Sequence, residues 1–300
     1  MLKIAFSDIY AHHLPEKHRF PMLKYELLPK QLIHEGVVLE ENFFTPQNAL
    51  EKDILEIHDV HYWHRLIQLN LSPSEVRSIG FPLSQLLVER EINIAGGTLQ
   101  CIAYALAYGI SFNIAGGTHH AFSDRGEGFC MLNDQAMGAN YLLRKKKVER
   151  VLIIDLDVHQ GNGTAEIFKN EPRVFTFSMH GAKNYPIRKE HSDLDIGLED
   201  GCKDETYLAL LRQHLNEVTQ SFHPDFIFYQ AGVDVLATDK LGRLGLTKAG
   251  CKSRDQYVLE FAHREQIPIV VCMGGGYSPN IKDIIDAHAN TFKLAQQTFF

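Results

Sequence analysis

The stretch VLIIDLDVHQGNGT, residues 151–164, begins as structure and ends as chemistry. Val151–Ile154 are consecutively apolar, which predicts a strand buried on both faces. Asp155, Asp157 and His159 then alternate with Leu156 and Val158. The two-residue period of a strand sends all three polar side chains to one side for as long as the strand continues. An aspartate and a histidine two apart can reach one metal ion.

Working outward, similar runs recur at 4–7 (IAFS), 112–115 (FNIA), 174–179 (VFTFSM), 225–232 (DFIFYQAG) and 267–276 (IPIVVCMGGG). Segments of helical period lie among them, clearest at 98–109, 133–147, 203–220, 247–264 and 280–297. This alternation predicts an α/β fold: a central, mainly parallel sheet between two helical layers. No linker-like or low-complexity tract divides the chain, so residues 1–300 are expected to form one domain, the mostly helical first hundred wrapping the sheet. The sequence NIAGGT occurs at 93–98 and again at 113–118. The first copy is read as leading into a helix capped by Thr98, the second as a loop after a strand. Asn133 and Asp134 are read as the start of the next helix.

The composition narrows the function. A 45% hydrophobic content is ample for a core, and a formal charge of −7 gives no footprint for a phosphate backbone. Nucleic acid is therefore not an expected partner. The five cysteines form no CxxC pair, which fits a reducing, cytoplasmic setting. The N-terminal residues read as a first strand rather than a leader, and no apolar run approaches a membrane span of about 20 residues.

Polar residues gather at the C-terminal ends of the predicted strands, the edge where open α/β sheets bind ligands. Asp234, just beyond the strand DFIFYQ, supplies a third hard ligand beside Asp157 and His159. One histidine and two carboxylates leave a position open, as in a catalytic zinc site, and would also suit Fe2+ or Mn2+. A metal-activated water needs a base and its leaving group an acid, and imidazole serves both near neutral pH. His119 and His120 are placed for this, with Asp155 able to accept from His119 and Asn162 from His120. An aspartate raises basicity more than an asparagine, so the two histidines should differ in pKa. Tyr277, after the glycines 274–276, can donate to an oxyanion. Phe129, after Gly128, suits the wall of an aliphatic passage, and Cys130 reads as a small buried residue.

These motifs make the chain resemble the histone deacetylase superfamily, metal-dependent deacylases with an arginase-like α/β fold. The resemblance covers nearly the whole chain. It rests on HRFPM (18–22), GGTHHAFSDRGEGFC (116–130), IIDLDVHQGNGT (153–164), YQAGVDVLATDKLGRLGL (229–246) and GGGY (274–277), and is strongest to the class IV type and its bacterial relatives. It implies Zn2+ on Asp157, His159 and Asp234, with Tyr277 as the transition-state hydroxyl. The motif leaves open which histidine transfers protons, while the family pattern favours His120 as base and His119 as electrostatic partner. The resemblance further implies a structural K+ near Asp155, main-chain oxygens of Asp157 and His159, and Ser178 and Met179. It places Arg19 along an internal channel beneath the site. Gly128, Phe129, Tyr185 and Gly275 are implied to line the acyl tunnel. Asn162 stands where class I enzymes carry an aspartate, which bears on the strength of the second relay.

The expected function is removal of an acetyl or longer acyl group from an acyl-lysine side chain of a protein or peptide. Acetylated polyamines or another small acylated amine are the alternative substrates. A two-manganese ureohydrolase is disfavoured by the carboxylate count, and an inactive acyl-lysine-binding module by the completeness of the site. Oligomeric state is left open.

Overall fold

The computed structural model describes residues 1–300. Eight strands form one sheet: β1 (Lys3–Ala5), β2 (Phe43–Phe44), β3 (Ile110–Asn113), β4 (Val151–Asp155), β5 (Val174–Gly181), β6 (Leu194–Leu198), β7 (Phe226–Gln230) and β8 (Ile269–Cys272). Their order is β2-β1-β3-β8-β7-β4-β5-β6, and every pair is parallel. Two apolar cores, one on each side of the sheet, hold alternate residues of the same strands. Leu152 and Ile154 belong to one, Val151 and Ile153 to the other. This is the three-layer arrangement that the doubly buried strands predict. No helix is long and apolar enough to cross a membrane.

The two edge strands, β2 and β6, escape the sequence reading because β2 is only two residues, Phe43–Phe44, and β6 (LDIGL) is mostly half-buried and interrupted by Asp195 and Gly197. The short helix Asn162–Phe168 is also missed. A larger correction concerns NIAGGT at 93–98, which is the middle of a 24-residue helix, Gln85–Tyr108, capped by Ser84 rather than Thr98. The glycines there serve close packing. A Cβ on Gly96 would lie 1.9 Å from the Gln47 carbonyl, and one on Gly97 2.6 Å from the Tyr10 hydroxyl. Thr98, fully buried, donates instead to Asp134 at 2.6 Å.

Four sheet neighbours in the order β3-β8-β7-β4 end side by side, and the segments that follow them carry His119–His120, Gly274–Tyr277, Asp234 and Asp155–His159 respectively. The sheet order thus brings together residues up to 158 positions apart. That C-terminal edge is where ligands are expected.

Candidate metal centre and active site

Strand β4 stops at Asp155, before the alternating residues 156–159, and this changes the geometry. Asp155 Oδ1 accepts the Asp157 backbone N–H (3.1 Å), which turns the chain out of the sheet. The three polar side chains therefore do not share one face as the alternation predicts. Asp155 Oδ2 turns to His119 Nδ1 at 2.7 Å. Asp157 and His159 converge instead on Asp234, with His159 Nδ1 lying 3.0 Å from Asp157 Oδ1 and 3.2 Å from Asp234 Oδ2.

Asp157, His159 and Asp234 are buried and offer one ligand atom each, all within 4.8 Å of one another. Whether they fit a cation is decided by the carboxylates. Asp234 Oδ1 accepts from the Val158 N–H (2.9 Å), but Oδ2 is buried with no hydrogen bond of its own. An orphaned carboxylate oxygen in a protein interior costs several kcal/mol unless a cation or donor meets it. Gly275 leaves the space beside it open: a Cβ there would lie 1.9 Å from Asp234 Oδ2 and 2.7 Å from Asp157 Oδ2. Burial and the Asp157 charge lift Asp234 to about 7, while burial opposes protonation of His159 but the neighbouring Asp157 and Asp234 carboxylates outweigh it and raise it to about 10. Two buried carboxylates and an imidazole, with ligand atoms within 4.8 Å of one another, are a donor set that fits a divalent cation.

The two histidines pack with ring centroids 4.1 Å apart. Burial works against protonation of His119, but Asp155 more than compensates and its pKa is raised. Burial, and then the His119 and His159 rings, hold His120 well below the ordinary value. Its Nδ1 lies 2.6 Å from Asn162 Oδ1, which accepts a proton and cannot donate one, so neutral His120 carries its proton on Nδ1 and keeps a lone pair on Nε2. Burial, with Asp157 and Asp234 nearby, keeps the Tyr277 hydroxyl far above its ordinary pKa and hence a neutral donor.

Two cavities meet at these residues. The outer one is lined by Arg19, Ser78, His120, Gly128, Phe129, His159, Tyr185, Leu241 and Tyr277. The inner one includes Phe20, Tyr25, Arg90, His119, Asp157, Gly275 and Tyr277. Phe129 is held in the left-handed region (φ 69°) by its N–H bond to the Ile79 carbonyl. Arg19, expected along an inner channel, is exposed and lies on the outer cavity, its guanidinium 4.9 Å from the Phe129 ring. Phe20 turns inward in its stead, and the arginine of the inner cavity is Arg90, whose burial is offset by Glu91 and the Tyr10 carbonyl. Ser178 is the register partner of Asp155 across β4 and β5, with Met179 next along the strand. Ser178 Oγ also lies 3.0 Å from His180 Nδ1.

Several residues that position the site were missed. Asp134, read only as a helix start, is fully buried and accepts from the backbone N–H groups of Gly117 (3.0 Å) and Thr118 (2.8 Å), fixing the loop into His119. Asp239 accepts the Tyr277 N–H at 2.5 Å. Buried Arg254 donates to the carbonyls of Leu156 (3.0 Å) and Gly232 (2.6 Å), one on each ligand-bearing segment. Lys24, also fully buried, donates to Gly274 O at 3.1 Å, and burial lowers it to about 8. Only a buried charge without a neighbour in sequence could have hinted at these, and sequence alone does not display burial.

Residues 17–292 match the Histone deacetylase domain. An uncharacterized protein of Picosynechococcus sp. is 40% identical over 99% of each chain, and Histone deacetylase 2 of Arabidopsis thaliana is 30% identical over 93% of this chain and 74% of its own. Among solved structures, an HDAC homolog from Aquifex aeolicus superposes with a TM-score of 0.83 at 25% identity, covering 98% of this chain and 84% of that one. An HDAC homolog complexed with SAHA gives 0.84 at 25% identity, covering 99% and 84%. With the domain matched across most of its length and the metal, histidine and tyrosine positions converging at one sheet edge, the chain belongs to the histone deacetylase family.

Proposed function

We propose that this protein is a metal-dependent amidohydrolase that removes acyl groups from the ε-amino nitrogen of lysine side chains. One observation carries the reading: a cavity walled by Phe129 and Tyr185 opens onto His120, Tyr277 and His159, the last a member of the Asp157/His159/Asp234 cluster. Aromatic walls suit an extended alkyl amide.

A divalent cation held by Asp157, His159 and Asp234, with Zn2+ proposed and Fe2+ or Mn2+ also fitting the donors, would polarise the amide carbonyl and acidify a water. His120 Nε2 takes the proton of the attacking water, its Nδ1–H fixed by Asn162. Tyr277 donates its hydroxyl to the oxygen that becomes negative in the transition state. His119, charged beside Asp155, stabilises that charge and supplies a proton towards the departing amine. Main-chain oxygens of Asp157 and His159, with Asp155, Ser178 and Met179, would hold a structural K+. The interleaved sheet order supports one catalytic domain over residues 1–300, and five free cysteines are consistent with a cytoplasmic setting.

The test is hydrolysis of acetyl-, butyryl-, octanoyl- and myristoyl-lysine peptides beside acetylated polyamines. The reading expects cleavage of acyl-lysine peptides, ranked by chain length. Cleavage of polyamines alone would move the substrate to small acylated amines, and binding without cleavage would favour an acyl-lysine-binding module.

A further inference from the structure

The His120 relay ends on a neutral asparagine, and an asparagine has two faces. With Oδ1 towards His120 the imidazole carries its proton on Nδ1. With the amide turned over, Asn162 Nδ2 would donate to Nδ1 and force the proton onto Nε2, where it would block a base. Nothing in the His120–Asn162 pair itself chooses between the two.

Glu127 makes the choice. Its Oε2 lies 3.4 Å from Asn162 Nδ2 and accepts the Tyr185 hydroxyl at 2.8 Å, while its Oε1 accepts from Arg125 Nε at 2.9 Å. A carboxylate has no proton to offer at neutral pH, so the side of Asn162 facing it must be the amine. The Glu127 backbone exchanges hydrogen bonds with Cys130 (3.0 and 2.8 Å), closing the turn that carries Phe129. The side chain is about one-fifth exposed and is held between Arg125 and Tyr185.

We propose that Glu127 is a positioning residue that fixes the orientation of the Asn162 amide and, through it, the tautomer of His120 competent for proton abstraction. This deepens the deacylase reading and rests on it for the catalytic consequence, though not for the tautomer.

The decisive variant is Glu127→Gln. Its carbonyl faces a conflict, because Arg125 Nε–H on one side and the Asn162 amine and Tyr185 hydroxyl on the other all call for an acceptor, although the hydroxyl can rotate and accept from the glutamine amine instead. The charged guanidinium wins, the glutamine amine turns to Asn162, and Asn162 flips. Two readouts are compared in metal-loaded protein. The first is the ring-nitrogen signature of His120 in 15N NMR: Nε2 unprotonated in the wild type, Nε2 protonated in E127Q. The second is turnover on an acyl-lysine peptide: kcat falls about 10²-fold in E127Q with KM changed much less, as expected for a base held in the wrong tautomer. Adding Arg125→Met frees the glutamine carbonyl to face Asn162, so the double variant should regain about 10-fold in kcat and the wild-type nitrogen pattern. General loss of packing would not be repaired by a second substitution. An unchanged His120 tautomer in E127Q, or no recovery in the double variant, overturns the proposal. Inactive wild-type protein showing the tautomer swap would overturn the deacylase reading and support this one.

Discussion

Asp134 offers the sharpest test of how the histidine pair is held. Its carboxylate, fully buried, receives the N–H of Gly117 on both oxygens (3.1 and 3.0 Å), the N–H of Thr118 at 2.8 Å on Oδ1 and the Thr98 hydroxyl at 2.6 Å on Oδ2. Replacing it with asparagine leaves one acceptor oxygen where two are in use and turns an amine towards existing donors. At least one buried donor loses its partner, costing about 1–3 kcal/mol, and the lost charge-assisted bond adds about 1.5–3 kcal/mol. The expected destabilisation of D134N is thus about 2.5–6 kcal/mol, as for breaking a buried polar network. The loop it releases leads directly into His119 and His120, and a displacement of about 1 Å in a catalytic group can cost about 10²-fold in rate. Urea unfolding followed by circular dichroism gives the first quantity, and kcat on an acyl-lysine peptide at a temperature where the variant is folded gives the second. A variant within 1 kcal/mol of wild type and equally active would refute the argument that this carboxylate organises the loop.

Other consequences can be checked in the same protein. Tyr277→Phe removes the proposed oxyanion donor and should lower kcat by about 10²-fold or more, read from steady-state kinetics, with little change in unfolding midpoint. Gly275→Ala puts a Cβ 1.9 Å from Asp234 Oδ2, so metal affinity measured by competition with a chromophoric chelator should fall at least about 10²-fold. His58 is buried and neutral, with Nδ1 donating to Phe122 O (3.0 Å) and Nε2 accepting the Asn133 N–H (3.0 Å), and burial lowers its pKa to about 4. Because the folded value lies below the unfolded one, its contribution is complete above about pH 6.5 and is lost as pH falls towards 4, a change of about 3 kcal/mol. His58→Gln should flatten that part of the stability profile; an unaltered slope between pH 7 and 4 would count against it.

The central sheet was legible because β3, β4, β5, β7 and β8 are buried on both faces and read as predominantly apolar runs. β2 and β6 were not, since a two-residue edge strand has no length to show a pattern and half-exposed β6 admits Asp195 and Gly197. The start of the Gln85–Tyr108 helix was misplaced because two adjacent glycines look like a break, whereas here they admit the 47–49 backbone and the Tyr10 hydroxyl. Within the site, Asp157, His159 and Asp234 follow strands whose position is set by apolar pattern, so sequence could bring them to one edge. Asp134, Asp239, Arg254 and Glu127 act through tertiary contacts across loops, and Arg90 rather than the expected Arg19 lines the inner cavity because it finds partners for burial in Glu91 and the Tyr10 carbonyl. Those choices depend on three-dimensional packing that no local pattern encodes.

The account turns on whether catalysis runs through Asp157, His159 and Asp234. The direct measurement strips the protein with a chelator, verifies that it remains folded, and follows acyl-lysine hydrolysis while Zn2+, Fe2+ or Mn2+ is added back. Activity that vanishes on chelation, returns in proportion to about one metal per chain and fails to return in Asp234→Asn is the predicted result. Hydrolysis that survives complete removal of metal, or folded, metal-loaded protein that cleaves none of the amides, would contradict it.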